Sequence, residues 1–212
     1  MMGEQIYFTN RVEAGQKLAE LLEKYRDADA VVLALPRGGV IPARAVAKAL
    51  NLPLGIIVVR KIGHPQNPEY AIAAVSESNQ VVKNEIEVSG VDPIWFGTET
   101  LRQLKEAQRR RHNYWGDRPP IDLEGKIVII VDDGLATGLT MMAAIAEAKS
   151  HQPKKIVVAV PVAASDTAEQ IRSQTDEFVA VSVPDPFMGG VGLYYREFPQ
   201  VSDAEVIVAL TV

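Results

Sequence analysis

A chain of 212 residues, 47% apolar and 23% charged, suits one domain with a sizeable core and has an ordinary globular balance. Its net charge of −5 gives no bulk attraction for nucleic acid or an anionic membrane, so neither is expected as a partner, and an anionic ligand would have to be held by local groups. The absence of cysteine excludes disulfides, thiolate metal sites and a cysteine nucleophile, while the absence of a secretory leader or an apolar run of about 18–20 residues makes a soluble, cytoplasmic protein the expectation.

In chain order, "NRVEAGQKLAELLEKY" is predicted as a helix capped by Thr9 or Asn10, with Val12, Leu18, Leu21 and Leu22 on one face. "AVVLALP" (30–36) reads as a buried strand and "IPARAVAKAL" as the helix after it. "PLGIIVVR" (53–60) is a second strand. Residues 61–80 are rich in Pro, Gly and Asn at their start and read as a long loop. "TETLRQLKEAQRRRHNYW" is a candidate helix closed by "GDRPP". "KIVIIVDD" (126–133) is a strand followed by the helix "LTMMAAIAEAKS". "KIVVAVPVA" (155–163) is another, followed by a helix capped by Ser165 or Asp166. "EFVAVSVP" (177–184) and "AEVIVALTV" (204–212) are the last two predicted strands. Continuous β-branched runs alternating with helices indicate a doubly wound α/β fold with a mainly parallel sheet. Ligands of such sheets sit beyond the carboxyl ends of the strands.

The most informative of these loops is "VDDGLATGLT". Gly134 and Gly138 allow a tight turn, and the amides of residues 134–140 open a helix whose start can hold a phosphate. Leu135 and Ala136 lie within that loop, and Thr137 and Thr140 add hydroxyl donors. No Lys precedes the Thr, so this is not a nucleotide P-loop. Asp132 and Asp133 would repel a phosphate but would accept hydrogen bonds from adjacent hydroxyls. A sugar 5-phosphate with a cis-diol satisfies both halves of the motif.

"IVIIVDDGLATGLT" resembles the signature of type I phosphoribosyltransferases, which use 5-phosphoribosyl-1-pyrophosphate (PRPP) with Mg²⁺. Over nearly its full length the chain is similar to a family of predicted phosphoribosyltransferases of unknown substrate, through "RGG", "RKIG-P-NPE", "VDDGLATG-T", "VAVPVA" and "PDPF--VG-YY-EF" in that order. The resemblance implies that Arg37, Gly38 and Gly39 bind pyrophosphate. It implies that Arg60 and Lys61 open a mobile catalytic loop over 61–80, and that Asp132 and Asp133 grip the ribose and its metal. It further implies a small hood drawn from about 1–25 and 184–212, with Phe187 stacking on a nitrogenous base and Met188 offering backbone contacts. A homodimer is the implied assembly.

Departures from the purine-specific members are equally plain. Where those enzymes carry an Asp in the phosphate loop as a base, this chain has Ala136. Tyr194 replaces a second Asp, and no counterpart of their oxo-binding Lys stands near "VAVPVAAS". The acceptor base therefore stays open, and so does a PRPP-binding regulator without transferase activity. Phe187 reads equally as a core aromatic. His64 and Glu69 are open to a loop role or a site role. Arg109, Arg110 and Arg111 beside Trp115 form either a solvated face or a wall over a site.

Overall fold

The computed structural model describes residues 8–211. Five parallel strands, in the order β2-β1-β6-β7-β8, form the central sheet: β1 (Ala30–Ala34), β2 (Leu54–Ile56), β6 (Ile127–Val131), β7 (Lys155–Val162) and β8 (Glu177–Ser182). A second, antiparallel sheet holds β3 (Val59–His64), β4 (Asn67–Ser76) and β5 (Val81–Lys83). The helices are α1 (Arg11–Leu21), α2 (Val40–Leu50), α3 (Glu85–Ser89), α4 (Pro93–Trp115), α5 (Leu139–Ser150), α6 (Ser165–Arg172) and α7 (Asp203–Leu210). Among the described residues no helix is long and apolar enough to cross a membrane.

Strand alternation divides the core between two faces. Val32, Ala34, Ile129 and Val131 pack with Leu18, Val46 and Leu50 of α1 and α2. Their chain neighbours Val31, Leu33, Val128 and Ile130 pack with Met141 and Ile145 of α5. Successive side chains point to opposite faces, and both faces are covered, so these strands are apolar throughout.

The structure departs from the sequence expectations at four places. The predicted strand 53–60 is two strands: the chain leaves the main sheet after Ile56 and enters the small sheet at Val59. The predicted loop 61–80 is largely an antiparallel hairpin, in which Arg60 faces Val75 and Lys61 faces Ala74. Pro65 and Pro68 disguise it, but they fall at its tip, where few ladder bonds are required. Ile72 and Val75 bury it, Ile62, Ala73 and Val75 packing with Phe96 and Leu104 of α4. The predicted strand 204–212 is helix α7, begun by a capping box in which Ser202 and Glu205 satisfy each other's backbone N–H; Val212 lies outside the described residues. In α1, Val12 and Leu21 are exposed. The buried stripe is Arg11, Ala14, Gly15, Leu18 and Ala19, whose small members let α1 approach Pro42 of α2.

Several boundaries also shift. Asn10 is the α1 cap, accepting from the N–H groups of Val12 and Glu13. Helix α4 starts at Pro93 behind Asp92, five residues before its predicted start. Neither Ser165 nor Asp166 caps α6; Ala164 holds that place. An early and a late segment of the chain meet where Phe8 pairs with Tyr195, beside Tyr194 and the half-buried Phe187 and Phe198. Residues 1–7 of the expected hood lie outside the described residues.

Candidate active site

Strands β1 and β6 are hydrogen-bonded neighbours that end level, Ala34 opposite Val131. The segments leaving them, 35–39 and 132–138, therefore emerge side by side at the carboxyl edge of the sheet. The contact is close. A Cβ on Gly38 would stand 1.9 Å from Asp133 Oδ2, and one on Gly39 2.8 Å from Asp132 Oδ1. Side chains longer than hydrogen cannot occupy these two positions while the acids keep their places.

Asp132 is recessed in this corner, with part of its surface open to solvent, and its Oδ1 accepts the Asp133 N–H at 2.8 Å. Asp133 is clasped by Arg11, whose Nε donates to Oδ2 at 2.7 Å. Arg11 also donates to the Pro199 carbonyl at 2.7 Å and lies 3.6 Å over the Phe198 ring. Burial raises both carboxyls above their ordinary range. The effect is greatest at Asp132, which also feels the Asp133 charge, while Lys61 and Arg11 oppose it. The Tyr195 hydroxyl donates to the Asp133 carbonyl at 2.6 Å, and burial pushes its pKa up.

The loop that follows is pinned to its neighbours on one side. Leu135 is buried, its N–H donates to the Val162 carbonyl, and its own carbonyl accepts from Ala164. Its amide is thus not among the free donors expected over 134–140. The Ala136 carbonyl accepts from the Thr167 hydroxyl at 2.6 Å. Gly138, at φ +75°, turns the chain into α5 in a left-handed conformation that a side chain would strain. No side chain caps α5. The first-turn amides consequently have no partner within the helix and present a positive dipole end. Thr140 Oγ1 is buried beside them without a hydrogen-bond partner.

A cavity of about 640 Å³ runs from Thr140 and Pro36 to the hairpin, where Arg60, Lys61, His64 and Glu69 line it. This lies within the roughly 300–1,000 Å³ common for small-molecule sites. Arg60 donates from Nε to Gln103 Oε1 at 3.0 Å, and burial, then Arg110, lowers its pKa. His64 sits near the hairpin tip and accepts the Gln66 N–H at 3.2 Å. Both residues left open by the sequence, His64 and Glu69, are thus brought to the cavity.

Three expected site residues stand apart from these groups or are already engaged. Arg37 leans toward α7, 3.6 Å from Asp203 Oδ1. Phe187 packs against Tyr194 with ring centroids 5.1 Å apart. The Met188 N–H donates to the Tyr194 hydroxyl at 2.8 Å, and its carbonyl accepts from Gly190 at 2.6 Å. In the basic run on α4, Arg109 and Arg110 both pair with Glu106 of the same helix and Arg111 pairs with Glu77 after β4, while Arg110 also lines the cavity. Sequence reasoning missed Arg11 and Gln103. Each carried a signal, Arg11 as a cation at a helix start and Gln103 as a polar residue in the buried stripe with Ala107 and Tyr114.

The phosphoribosyl transferase domain family matches residues 8–196. The chain belongs to that family. It is 42% identical over 205 residues to a Mycobacterium tuberculosis protein provisionally named a phosphoribosyl transferase, covering 96% of this chain and 46% of that one. The chain therefore spans about half the length of that relative. A 76-residue stretch is 38% identical to hypoxanthine-guanine phosphoribosyltransferase of Bos taurus, covering 36% of this chain and 34% of the bovine one. In three dimensions it is similar to a crystallographically solved protein of Thermus thermophilus, with a TM-score of 0.82 and 39% identity over 97% of this chain and 98% of the other. The doubly wound, mainly parallel sheet is the type I phosphoribosyltransferase fold.

Proposed function

We propose that the protein transfers phosphoribose from Mg²⁺-PRPP to a nitrogenous base and releases pyrophosphate. The observation that carries this reading is the open start of α5 with its unpartnered Thr140 hydroxyl, directly after a recessed acid pair. One end of a ligand must supply acceptors and the other must supply donors, as a phosphorylated sugar diol does.

In this account the 5-phosphate rests on the amides and hydroxyls of residues 136–140. The ribose hydroxyls donate to Asp132 Oδ2 and to Asp133 Oδ1, the oxygens left over by the Asp133 N–H and by Arg11. Breaking the bond from the anomeric carbon to pyrophosphate leaves the electron pair on the departing oxygen and positive charge on the ribose. The acids stand near that positive charge, while Arg60 and Lys61 stabilise the new negative charge. A ring nitrogen of the acceptor then forms the new bond at the anomeric carbon with its lone pair, and its proton passes to solvent. No general base is assigned, since the position in question is the exposed Ala136. The acceptor face near Phe187, the hood and a homodimeric assembly belong to the same proposal.

The residues fit a metal that arrives with its substrate. Among the described residues no group of three or more acidic or histidine side chains could hold an ion. Mg²⁺ is typically held by one or two carboxylates plus substrate phosphates and water. Asp132 and Asp133 are the two carboxylates available, and the ion would supply neutralisation of pyrophosphate charge.

The test is a screen of nucleobases for pyrophosphate release from Mg²⁺-PRPP. Release with at least one base supports transfer. Tight binding of Mg²⁺-PRPP with release from none would favour a regulator that keeps the site without the reaction.

A further inference from the structure

Helix α4 carries no part of the expected site, yet one of its polar side chains is buried against it. Gln103 is 7% exposed, an unusual place for an amide unless its hydrogen bonds are met. They are met specifically. Its Oε1 accepts from Arg60 Nε at 3.0 Å, and its Nε2 donates to Glu99 Oε1 at 2.8 Å.

Strand alternation explains why Arg60 requires this partner. Arg60 and Ile62 share the face of β3 that packs on α4, where Ile62 meets Phe96 and Leu104. Lys61 lies on the opposite face of β3, and its charge opposes the rise at Asp132. The two adjacent cations therefore reach the cavity from different sides. On its own side Arg60 faces a helix bearing Glu99 and Glu106, each already paired with arginines of α4. Among the described residues Arg60 has no ion pair within 4.0 Å, and its Nε bond to Gln103 is its one side-chain hydrogen bond. Its terminal nitrogens carry no hydrogen bond to the described residues, and Arg60 is among the residues that line the cavity.

We infer that Gln103 is a neutral positioning residue, which fixes the Arg60 guanidinium in the cavity without cancelling its charge, so that Arg60 can meet the pyrophosphate group. The inference rests on the proposed use of PRPP. A glutamate at this position would neutralise the cation and lose the donor that Glu99 accepts, and an apolar residue would free Arg60 to fold onto Glu99 or Glu106. A hydrogen bond to a charged group is worth enough to matter at this scale.

The experiment is calorimetric titration of magnesium pyrophosphate into the wild type, Gln103→Leu, Arg60→Ala and the double variant, with thermal midpoints recorded for all four. Gln103→Leu should weaken binding by about tenfold or more. In the Arg60→Ala background the same substitution should change it less than about twofold, because the group it positions is gone. Equal losses in both backgrounds would mean a merely structural role and overturn the inference. Gln103→Glu keeps size and the acceptor for Arg60 but sets a carboxylate against Glu99, so its thermal midpoint should fall and it should also bind pyrophosphate more weakly; binding at the wild-type level or tighter would equally overturn the inference. If the wild type itself binds no magnesium pyrophosphate, the proposed function fails first. If the wild type binds and Gln103→Leu is unchanged, the inference alone fails.

Discussion

Around Asp132 and Asp133 the main chain sets the geometry, whereas around Arg60 and Lys61 side chains set it. The acids follow a parallel strand buried on both faces, and glycines 38 and 39 bring a second loop against them. Leu135, two residues past the acids, is tied by its N–H to β7, and Arg11 crosses from the first helix to hold Asp133. The cations stand on a hairpin outside the main sheet, one half-buried against Gln103 and the other exposed. On the proposed reading, the acids that would meet the sugar are held as part of the core. The cations that would meet the departing anion are held by contacts that can be broken without unfolding the sheet. Loss of the Arg11 clasp should therefore cost stability, whereas changes on the cation side should cost affinity alone.

The largest expected effect is on the acid side. Arg11→Leu would leave Asp133 buried without its counter-charge, and breaking such a pair typically costs about 3–5 kcal/mol. Chemical denaturation should show a clear fall in midpoint; an unchanged midpoint would remove the claim that this clasp is structural.

Next comes Glu77, at the end of the hairpin strand β4. Burial raises its pKa to about 7, although Arg111 and the Val58 N–H oppose the shift, with Glu147 and His151 close by. The folded-state value lies above the ordinary 4.5, so the stability linked to this proton is full below about pH 4.5 and lost as pH rises through about 7. The difference is on the order of 3 kcal/mol. Unfolding curves across pH 4–8 should slope downward for the wild type over this window and be flatter for Glu77→Gln. Identical slopes would count against the shifted carboxyl.

The smallest effect on stability should come from Lys61→Ala, within about 0.5 kcal/mol because the side chain is exposed. Its magnesium pyrophosphate affinity should nonetheless fall. Should stability drop as far as in Arg11→Leu, the contrast between the two sides would collapse.

How far the sequence reveals this site follows the same division. The parallel strands and α5 are legible because burial on both faces leaves uninterrupted apolar runs, and the acid pair follows one of them directly. The hairpin is obscured by Pro65 and Pro68, and its antiparallel pairing depends on α4, which is distant in sequence. Helix α7 hides behind the β-branched run "VIV", although Ser202 and Glu205 spelled its capping box. Arg11 and Gln103 act across 122 and 43 residues of chain, so their partners could not be read from local spacing.

The most direct measurement of the central claim is calorimetric titration of wild-type protein and Asp132→Asn with PRPP, with and without Mg²⁺. Asp132 is the better of the two acids to change, because Asp133 is committed to Arg11. The expected result is Mg²⁺-dependent binding to the wild type and markedly weaker binding to a folded Asp132→Asn. No binding to the wild type, or undiminished binding to the variant, would contradict the assignment of this corner of the sheet to a phosphorylated ribose.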